Sequence, residues 1–588
     1  MNYHSDFYLH KEWKLTLLAL LIFPLLPTLG TLTLVLTVIS TFVKKWRNII
    51  SRSHNIALAC LGLWLAIASF FAWKPQEAFL GLANLLPFFV IFAGLSTIIQ
   101  TPAQLRQLSW VMVISSVPVI ILGFGQLFWG WSGIVDLQVI FGWVLAPQGN
   151  PPGRIASVFM YANILAIYLT IVFILGLALW IEQWQLLDKH NLRTPNQETG
   201  FINDTSSFEQ QEHRAPNQET GFINDTSSFE QQEHRHKPGF CISPDNKTKQ
   251  SHQLTTTVVT QLILGIRAGL FNLMFKLVKL KNQPAPTITV FKMCQSTTSN
   301  NSGVIKLLYN SSLQKFIFLT VAMISNGVAL ILTNSRNASG LVVFAGLTYA
   351  IYLGWNWLIG LVMAAVATVF GAAFAPAPAN KWLRVIVPEY FWGRLTDRNF
   401  DRPVATLRST QWQFAGKMTR EKPWLGWGLR NFTPLYEAQM QTWLGHPHNL
   451  FLMLTAETGI PATLFFCGWV GWILGKGVWL FINWSDVTAD SRYMKHRYSK
   501  LNVCSAEMTA TDLPHQNGIR CNFRENRLIF FSYLVAFAAC TIFNIFDVSL
   551  FDLRVNTIGW LLLAAICGSQ ELKVRSQKLG FYSGFPVW

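Results

Sequence analysis

Long runs of apolar residues recur along the chain, separated by shorter polar segments. Most of these runs approach the roughly 20 residues that an α-helix needs to cross the hydrocarbon core of a membrane. We therefore predict transmembrane helices at residues 14–26, 29–43, 55–73, 78–99, 108–129, 155–181, 315–334, 339–354, 357–375, 449–476, 528–546 and 556–570. The first two runs are short and are separated only by "PLLPTLG", so they form either two helices or one kinked helix. The predicted fold is an all-α polytopic bundle of about 12 transmembrane helices.

Composition supports a membrane protein. Hydrophobic residues make up 51% of the 588 residues and charged residues only 13%, whereas soluble domains carry about 25% charged residues. The opening "MNYHSDFYLHKEWK" precedes an apolar run without a small-residue cleavage site. We therefore expect no cleaved signal peptide.

The formal net charge of +17 follows the membrane topology and does not point to nucleic acid as a partner. Short segments on one side of the predicted bundle carry most of the basic residues near the spans, namely Lys44, Lys45, Arg47, Arg52, Arg106, Lys573, Arg575 and Lys578. Because such residues concentrate on the cytoplasmic side, we predict cytoplasmic N- and C-termini in the cytoplasmic (inner) membrane. All eight cysteines fall in predicted spans or cytoplasmic segments, so no disulfide is expected.

Two polar inserts divide the spans into groups. Residues 182–314 contain "PNQETGFINDTSSFEQQEHR" twice, at 195–214 and 216–235, and two copies are too few to stack as a solenoid. We predict a mostly disordered cytoplasmic insert, in which the apolar but basic stretch 261–280 lies on the membrane surface, although a further crossing there stays open. Residues 477–527 form a second cytoplasmic loop. The predicted organisation is a bundle at 1–181, the insert 182–314, spans at 315–375, a periplasmic loop at 376–447, a span at 448–476, the second loop, and spans with a tail at 528–588.

The predicted periplasmic loop is basic and rich in tryptophan. Guanidinium groups fork onto phosphate oxygens, so this surface suits an anionic lipid-linked ligand; interfacial anchoring by Trp and Arg is the alternative for most single residues. If 405–419 is helical, Arg408, Trp412 and Ala415 share one face, which predicts an amphipathic helix resting over a cavity. Whether Arg408 contacts a ligand stays open.

The histidine residues are distributed unevenly between the two predicted sides of the membrane. Of the 12 histidines, all but His446 and His448 fall on the predicted cytoplasmic side. Arg154 and Arg336 lie at span boundaries on the same outer face, where arginine either snorkels to the surface or serves a function. Zinc is not predicted, since the two histidines have no convincing third or fourth ligand nearby in the sequence.

Several of these segments resemble one protein family. "HNLFLMLTAETG", His448 through Gly459, resembles the signature of the O-antigen ligase and polymerase family. Further segments that resemble the family are "RSTQWQFAGKMTREKPWLGWGLRNF" (408–432), "SRNASG" (335–340) and "GRIASVFMYANILA" (153–166). The closing "FDVSLFDLRVNTIGWLLLAAICG" (546–568) resembles a branch common in photosynthetic bacteria, some members of which have been labelled inorganic-carbon transporters.

The resemblance implies a GT-C-type glycosyltransferase without a metal or other cofactor. Such an enzyme moves a glycan from an undecaprenyl-diphosphate carrier to an acceptor hydroxyl of a glycan or a lipid, on the periplasmic face. Carried over, His448 would act as the base or position the acceptor hydroxyl, and Arg154 and Arg336 would bind the diphosphate. We add Asn449, His446 and Arg408 to the candidate substrate-binding residues; His446 either supports His448 from behind or is simply a loop residue. Ligase and polymerase remain equal alternatives. The competing function is bicarbonate transport, against which we find no pair of interrupted helices in corresponding halves.

Overall fold

A computed structural model describes residues 9–133, 142–191, 311–387, 389, 392–393, 403–484 and 515–581. One compact unit comprises Met1–Pro195 and Gly303–Trp588. The second unit, Asn196–Ser302, falls outside the described residues, and so do both tandem copies and the stretch 261–280. Within the described ranges the regular structure is helical, without a strand.

The twelve apolar runs all coincide with helices. These are α1 (His10–Ile22), α2 (Pro27–Ile50), α3 (Ser53–Phe70), α4 (Pro75–Leu82), α5 (Leu86–Ile98), α6 (Pro102–Phe128), α7 (Ala162–Asn191), α8 (Ser311–Leu332), α9 (Arg336–Leu353), α10 (Asn356–Phe374), α11 (Ala379–Ile386), α12 (Arg408–Glu421), α13 (Phe432–Met440), α14 (Leu450–Ile482), α15 (His515–Phe546) and α16 (Leu553–Phe581). The predicted amphipathic helix is α12, preceded by the 3₁₀ turn Val404–Thr406.

In the part of the chain that is described, 9 helical stretches are long and apolar enough to cross a membrane, with α4 and α5 counted as one. The other three predicted spans correspond to α1, which has 13 residues, and to α9 and α16, which carry an arginine in their first turns. The all-α polytopic membrane fold is therefore confirmed, although fewer helices satisfy length and apolarity than the twelve runs in the sequence.

The first two apolar runs form two helices and not one kinked helix. The Glu12 carboxylate in the first turn of α1 accepts a hydrogen bond of 2.8 Å from the Ser40 hydroxyl and pairs with Lys44, both late in α2. The start of α1 thus lies beside the end of α2, and the two helices run antiparallel.

Polar contacts mark two opposite ends of α7. Near its C-terminal end, Glu182 pairs with Arg106 at the start of α6 at 2.6 Å. Just before its N-terminal end, the Arg154 Nε donates to the Thr333 carbonyl at 2.7 Å, in the turn between α8 and α9. Between these ends the side chains of Ile167 and Ile171 are fully buried. A straight helix separates the two groups of contacts, so we name them the Arg106 end and the Arg154 end.

The predicted span 449–476 is not one regular helix. Gly459 has φ +82° inside α14, and Pro461 follows it. The break exposes backbone groups that bind the preceding loop: Gly428 N donates to the Glu457 carbonyl at 2.8 Å and Ile460 N donates to the Pro423 carbonyl at 2.8 Å. Gly426 and Gly428 have φ of +69° and +98°, left-handed conformations that glycine adopts readily in a tight turn. The loop is thereby fastened to the helix that begins directly after His448.

Candidate active site

His448 lies at the start of α14 and its backbone is held from both sides. Asn449 caps the helix, because its Oδ1 accepts a hydrogen bond of 3.0 Å from Leu452 N. On the other side, Trp412 Nε1 of α12 donates to the Pro447 carbonyl at 3.0 Å. His448 itself has φ +51°, a left-handed conformation that non-glycine residues adopt mainly where the surrounding structure enforces it. The imidazole is therefore presented by a constrained turn.

The partner of His448 is Asp547, which directly follows α15. The distance from His448 Nδ1 to Asp547 Oδ1 is 3.1 Å. The same oxygen accepts from Val548 N at 2.9 Å and from the Tyr161 hydroxyl at 3.3 Å. The other oxygen, Oδ2, accepts from Asn163 Nδ2 at 2.9 Å. Both carboxylate oxygens are thus satisfied, which fixes the orientation of the carboxylate plane.

This contact determines which ring nitrogen of His448 donates a hydrogen bond. An ionised carboxylate only accepts hydrogen bonds, so His448 Nδ1 carries a proton, and Nε2 is the nitrogen that has the lone pair in the neutral form of the ring. The side chain of His448 is 29% exposed, whereas that of Asp547 is 1% exposed. A substrate can therefore reach the imidazole but not the carboxylate behind it.

The electrostatics favour an ionised carboxylate. Burial raises the pKa of Asp547, but the hydrogen bond from His448, the attraction of His448 and His446 when these rings are protonated, and the Val548 amide together outweigh burial, so the pKa lies below its usual range. Burial and the neighbouring Asp547 raise the pKa of the Tyr161 hydroxyl, which therefore stays protonated and serves as a donor.

Arg154 joins this cluster through an amide. Its Nη2 donates to Asn163 Oδ1 at 2.6 Å, and its Nε donates to the Thr333 carbonyl at 2.7 Å. Asn163 stands in the first turn of α7, and its other amide atom contacts Asp547. Arg154 and His448, which are far apart in the sequence, are therefore separated by only two intervening side chains.

Arg336 begins α9 on the same turn that receives Arg154. The helix is capped by Ser335, whose hydroxyl accepts from Ala338 N at 3.5 Å, and the Arg336 side chain is exposed. The two predicted diphosphate-binding arginines thus flank Thr333 on the Arg154 end of the bundle.

His446 packs against His448. The ring centroids are 4.6 Å apart in a T-shaped arrangement, and the His446 ring stacks on Phe551 at 5.8 Å. His446 Nδ1 accepts a hydrogen bond of 3.2 Å from His448 N, and its Nε2 is 4.0 Å from Asp547 Oδ1. Burial, followed by the charge of His448, lowers the pKa of His446 to about 4. His446 is therefore a neutral imidazole at neutral pH.

Arg408 is the first residue of α12 and is exposed. Its charge contributes to lowering the pKa of His446 and opposes the raised pKa of Tyr161. Arg408 therefore acts electrostatically on the cluster from the predicted loop helix.

Within the described ranges, His446, His448 and Asp547 offer three ligand-type atoms that all lie within 4.8 Å of one another. This corrects the expectation that the histidines have no third ligand nearby, because Asp547 is close in space although 99 positions away in the chain. The donor set fits a zinc-type ion by chemistry. However, His446 Nδ1 accepts a hydrogen bond from the His448 backbone N–H, so Nε2 carries the proton of the neutral ring, and Nε2 lies 4.0 Å from Asp547 Oδ1, beyond hydrogen-bond distance. The hydrogen bonds match an acid–base cluster.

Asp547, Asp552 and Arg554 lie close together in the sequence, and the structure places them in two groups. Arg554 pairs with Asp552 at 3.8 Å, whereas Asp547 turns to the histidines. Asp547 and Asn163 were missing from the predicted site. The available signal was an acidic residue directly after a predicted span, at the same predicted depth as His448.

The fold is that of an all-α polytopic membrane protein, and a cluster of two histidines, a carboxylate and arginines lies at one end of its bundle. The family model described as O-antigen ligase matches residues 319–467, about a quarter of the chain. This segment is similar to the O-antigen ligase domain, and the match confirms the resemblance to the O-antigen ligase and polymerase family. No curated protein matches the chain.

The matched segment contains Arg336, Arg408, His446, His448 and Asn449. Arg154, Asn163 and Asp547 lie outside it and reach the site through the fold. The match supports an O-antigen ligase-type membrane glycosyltransferase, and the family implies a glycan ligase or polymerase that uses a lipid-linked glycan donor.

Proposed function

We propose that the protein transfers a glycan from an undecaprenyl-diphosphate carrier to an acceptor hydroxyl, with His448 as the general base. The observation that carries the proposal is the contact of 3.1 Å between His448 Nδ1 and Asp547, which leaves Nε2 as the proton acceptor of a side chain that is 29% exposed. Imidazole suits this role, because its ordinary pKa lies near ambient pH.

In the proposed reaction, His448 Nε2 takes the proton of the acceptor hydroxyl while the hydroxyl oxygen forms a bond to the anomeric carbon of the donor glycan. The bond between that carbon and the phosphate oxygen breaks, and its electron pair leaves with undecaprenyl diphosphate. Negative charge therefore develops on the diphosphate. Arg154 and Arg336 stabilise this charge, since preorganised cations aimed at a leaving group lower the barrier.

The remaining predicted residues have supporting roles. Asn449 holds the start of α14 through its cap and so orients His448. His446 contributes a neutral ring beside the base, and Arg408 adds positive charge above the site. We propose that the site faces the periplasm, where the lipid-linked donor and its glycan or lipid acceptor meet within the inner membrane.

The test compares a strain that lacks the gene with strains that carry the wild type, His448→Ala, Arg336→Ala or the matched control Arg420→Ala. Arg420 is an exposed arginine of α12 whose Nε bonds only weakly to its own helix at 3.4 Å. We expect His448→Ala to lower glycan transfer by roughly 10² to 10⁴-fold, the usual contribution of a general base. Arg420→Ala should retain transfer.

Surface polysaccharide and lipid-linked glycan are measured in each strain, together with bicarbonate uptake. Loss of polysaccharide with accumulated lipid-linked glycan is the expected result for deletion and for His448→Ala. Unchanged polysaccharide together with lost bicarbonate uptake would overturn the proposal in favour of inorganic-carbon transport.

A further inference from the structure

One side chain connects the two parts of the proposed chemistry. Asn163 contacts Arg154 at 2.6 Å through Oδ1 and Asp547 at 2.9 Å through Nδ2. Arg154 belongs to the group that would bind the diphosphate, and Asp547 orients the base. We propose that Asn163 is a positioning residue that couples diphosphate binding to the orientation of His448, an inference that rests on the proposed function.

The chemistry of the two neighbours determines which group fits between them. A guanidinium only donates hydrogen bonds and a carboxylate only accepts them. The connecting side chain must therefore offer an acceptor at one atom and a donor at another. A primary amide offers both at adjacent positions, so the orientation of the Asn163 amide follows from its partners: the oxygen faces Arg154 and the nitrogen faces Asp547.

The backbone around Asn163 gives the amide a fixed base. Asn163 is in the first turn of α7, a helix whose neighbouring side chains Ile164, Leu165 and Ala166 are buried. The preceding residue is anchored as well, because Ala162 N donates to the Asn150 carbonyl at 2.9 Å. Movement of the amide is therefore restricted, and a change at one of its contacts is transmitted to the other.

The contacts of each neighbour explain what the coupling achieves. The Arg154 guanidinium is held at Nε by the Thr333 carbonyl and at Nη2 by Asn163. Asp547 receives His448, Tyr161 and Val548 on Oδ1 and Asn163 on Oδ2. Asn163 thus sets both the direction of the cation that would meet the diphosphate and the plane of the carboxylate that orients the imidazole. A diphosphate bound at Arg154 is thereby held in register with His448.

The experiment uses the full chain in lipid nanodiscs with two variants at this position. Asn163→Leu keeps a similar shape but removes both polar atoms, whereas Asn163→Gln keeps the amide on a longer side chain. The matched control is Asn337→Leu, since the Asn337 amide also spans two elements, donating to the Phe543 carbonyl at 3.2 Å. Two quantities are measured for each protein: the Kd for undecaprenyl diphosphate alone, and kcat for glycan transfer at saturating donor.

We expect Asn163→Leu to raise the Kd and to lower kcat, each by roughly tenfold, the size associated with losing one hydrogen bond to a charged group. Asn163→Gln should recover part of both quantities together. Asn337→Leu should change neither by more than about twofold, because it removes a single hydrogen bond between two uncharged groups. A folding defect alone would reduce the active fraction without changing the Kd of the folded protein.

Two results overturn the inference. The first is a folded Asn163→Leu protein in which only one of Kd and kcat changes, since the two sites are then independent. The second is an Asn163→Gln protein that recovers neither quantity. Failure of the proposed function is recognised separately: in that case His448→Ala leaves glycan transfer unchanged, whereas the inference fails alone if His448→Ala abolishes transfer and Asn163→Leu behaves as wild type.

Discussion

Among single residues, Asp547 determines which nitrogen of His448 is available to accept a proton. In Asp547→Asn the new amide can donate toward Nδ1, which favours the tautomer with its proton on Nε2 and removes the acceptor. We expect kcat for glycan transfer to fall by roughly 10² to 10⁴-fold, comparable to losing the base itself. The measurement is steady-state transfer by purified protein in proteoliposomes.

Asp552→Asn is the matched control for this substitution. The Asp552 Oδ1 accepts from Arg554 N and Val555 N at 3.0 Å each, and asparagine offers the same acceptor for a helix N-terminus. Transfer by Asp552→Asn should remain within a few-fold of wild type by this reasoning. Equal loss in both variants would mean that Asp547 acts through stability and not through the imidazole.

Single residues were predictable from the sequence where their type was unusual for their place. His448 and Arg154 were predicted because charged or titratable groups are rare at the boundary of apolar runs. Asp547 was not assigned to His448, since their contact of 3.1 Å joins positions 99 residues apart and no local pattern records such a pair. Asn163 was missed for a related reason: an uncharged amide near a span carries no electrostatic signal until its two charged neighbours are known.

The interruption of α14 at Gly459 is where the preceding loop docks onto the helix that follows His448. Gly459 has φ +82°, and a Cβ added there would lie 2.3 Å from the Trp424 carbonyl oxygen. Gly459→Ala should therefore destabilise the folded protein by roughly 1 to 3 kcal/mol, combining backbone strain with displacement of the docked loop. The expected readouts are a lower thermal midpoint and faster proteolysis of the loop that contains α12 and α13.

Gly468→Ala provides the comparison within the same helix. A Cβ added at Gly468 meets nothing within 4 Å, and its backbone is helical. Alanine is a better helix former than glycine, so this variant should be neutral or slightly more stable. If the two variants have the same thermal midpoint, the left-handed glycine is not what anchors the loop.

Helices were predictable from the sequence where the thickness of the membrane sets the length of an apolar run. Each apolar run coincides with helical structure, which residues 78–99 form as the two helices α4 and α5, because backbone groups in a membrane must be satisfied within the segment. Gly459 and Pro461 are a helix-breaking signal within α14. The docking that stabilises the break could not be predicted from the apolar run, since it involves Gly428 and Pro423 of a different segment. Likewise, the choice between one kinked helix and two was decided by Glu12, whose partner Lys44 lies on the second helix.

At the scale of the whole molecule, polar clusters lie at both ends of α7 and have different compositions. The Arg106 end contains the ion pair of Arg106 with Glu182, in which both charges have a partner at 2.6 Å. The Arg154 end contains histidines, a carboxylate and arginines around an accessible imidazole. Because a helix that crosses the membrane places its ends on opposite faces, the two clusters must face different compartments.

This separation predicts the orientation of the site. In a background without native cysteines, Ser409→Cys in α12 reports on the Arg154 end, and Ser51→Cys, directly after α2, reports on the Arg106 end; both positions are exposed. A membrane-impermeant maleimide should label Ser409→Cys in intact cells, but Ser51→Cys only after the inner membrane is permeabilised, since Lys44, Lys45 and Arg47 near Ser51 are typical of cytoplasmic segments. The reverse pattern would place His448 on the cytoplasmic side, where a lipid-linked glycan that has already crossed the membrane could not reach it.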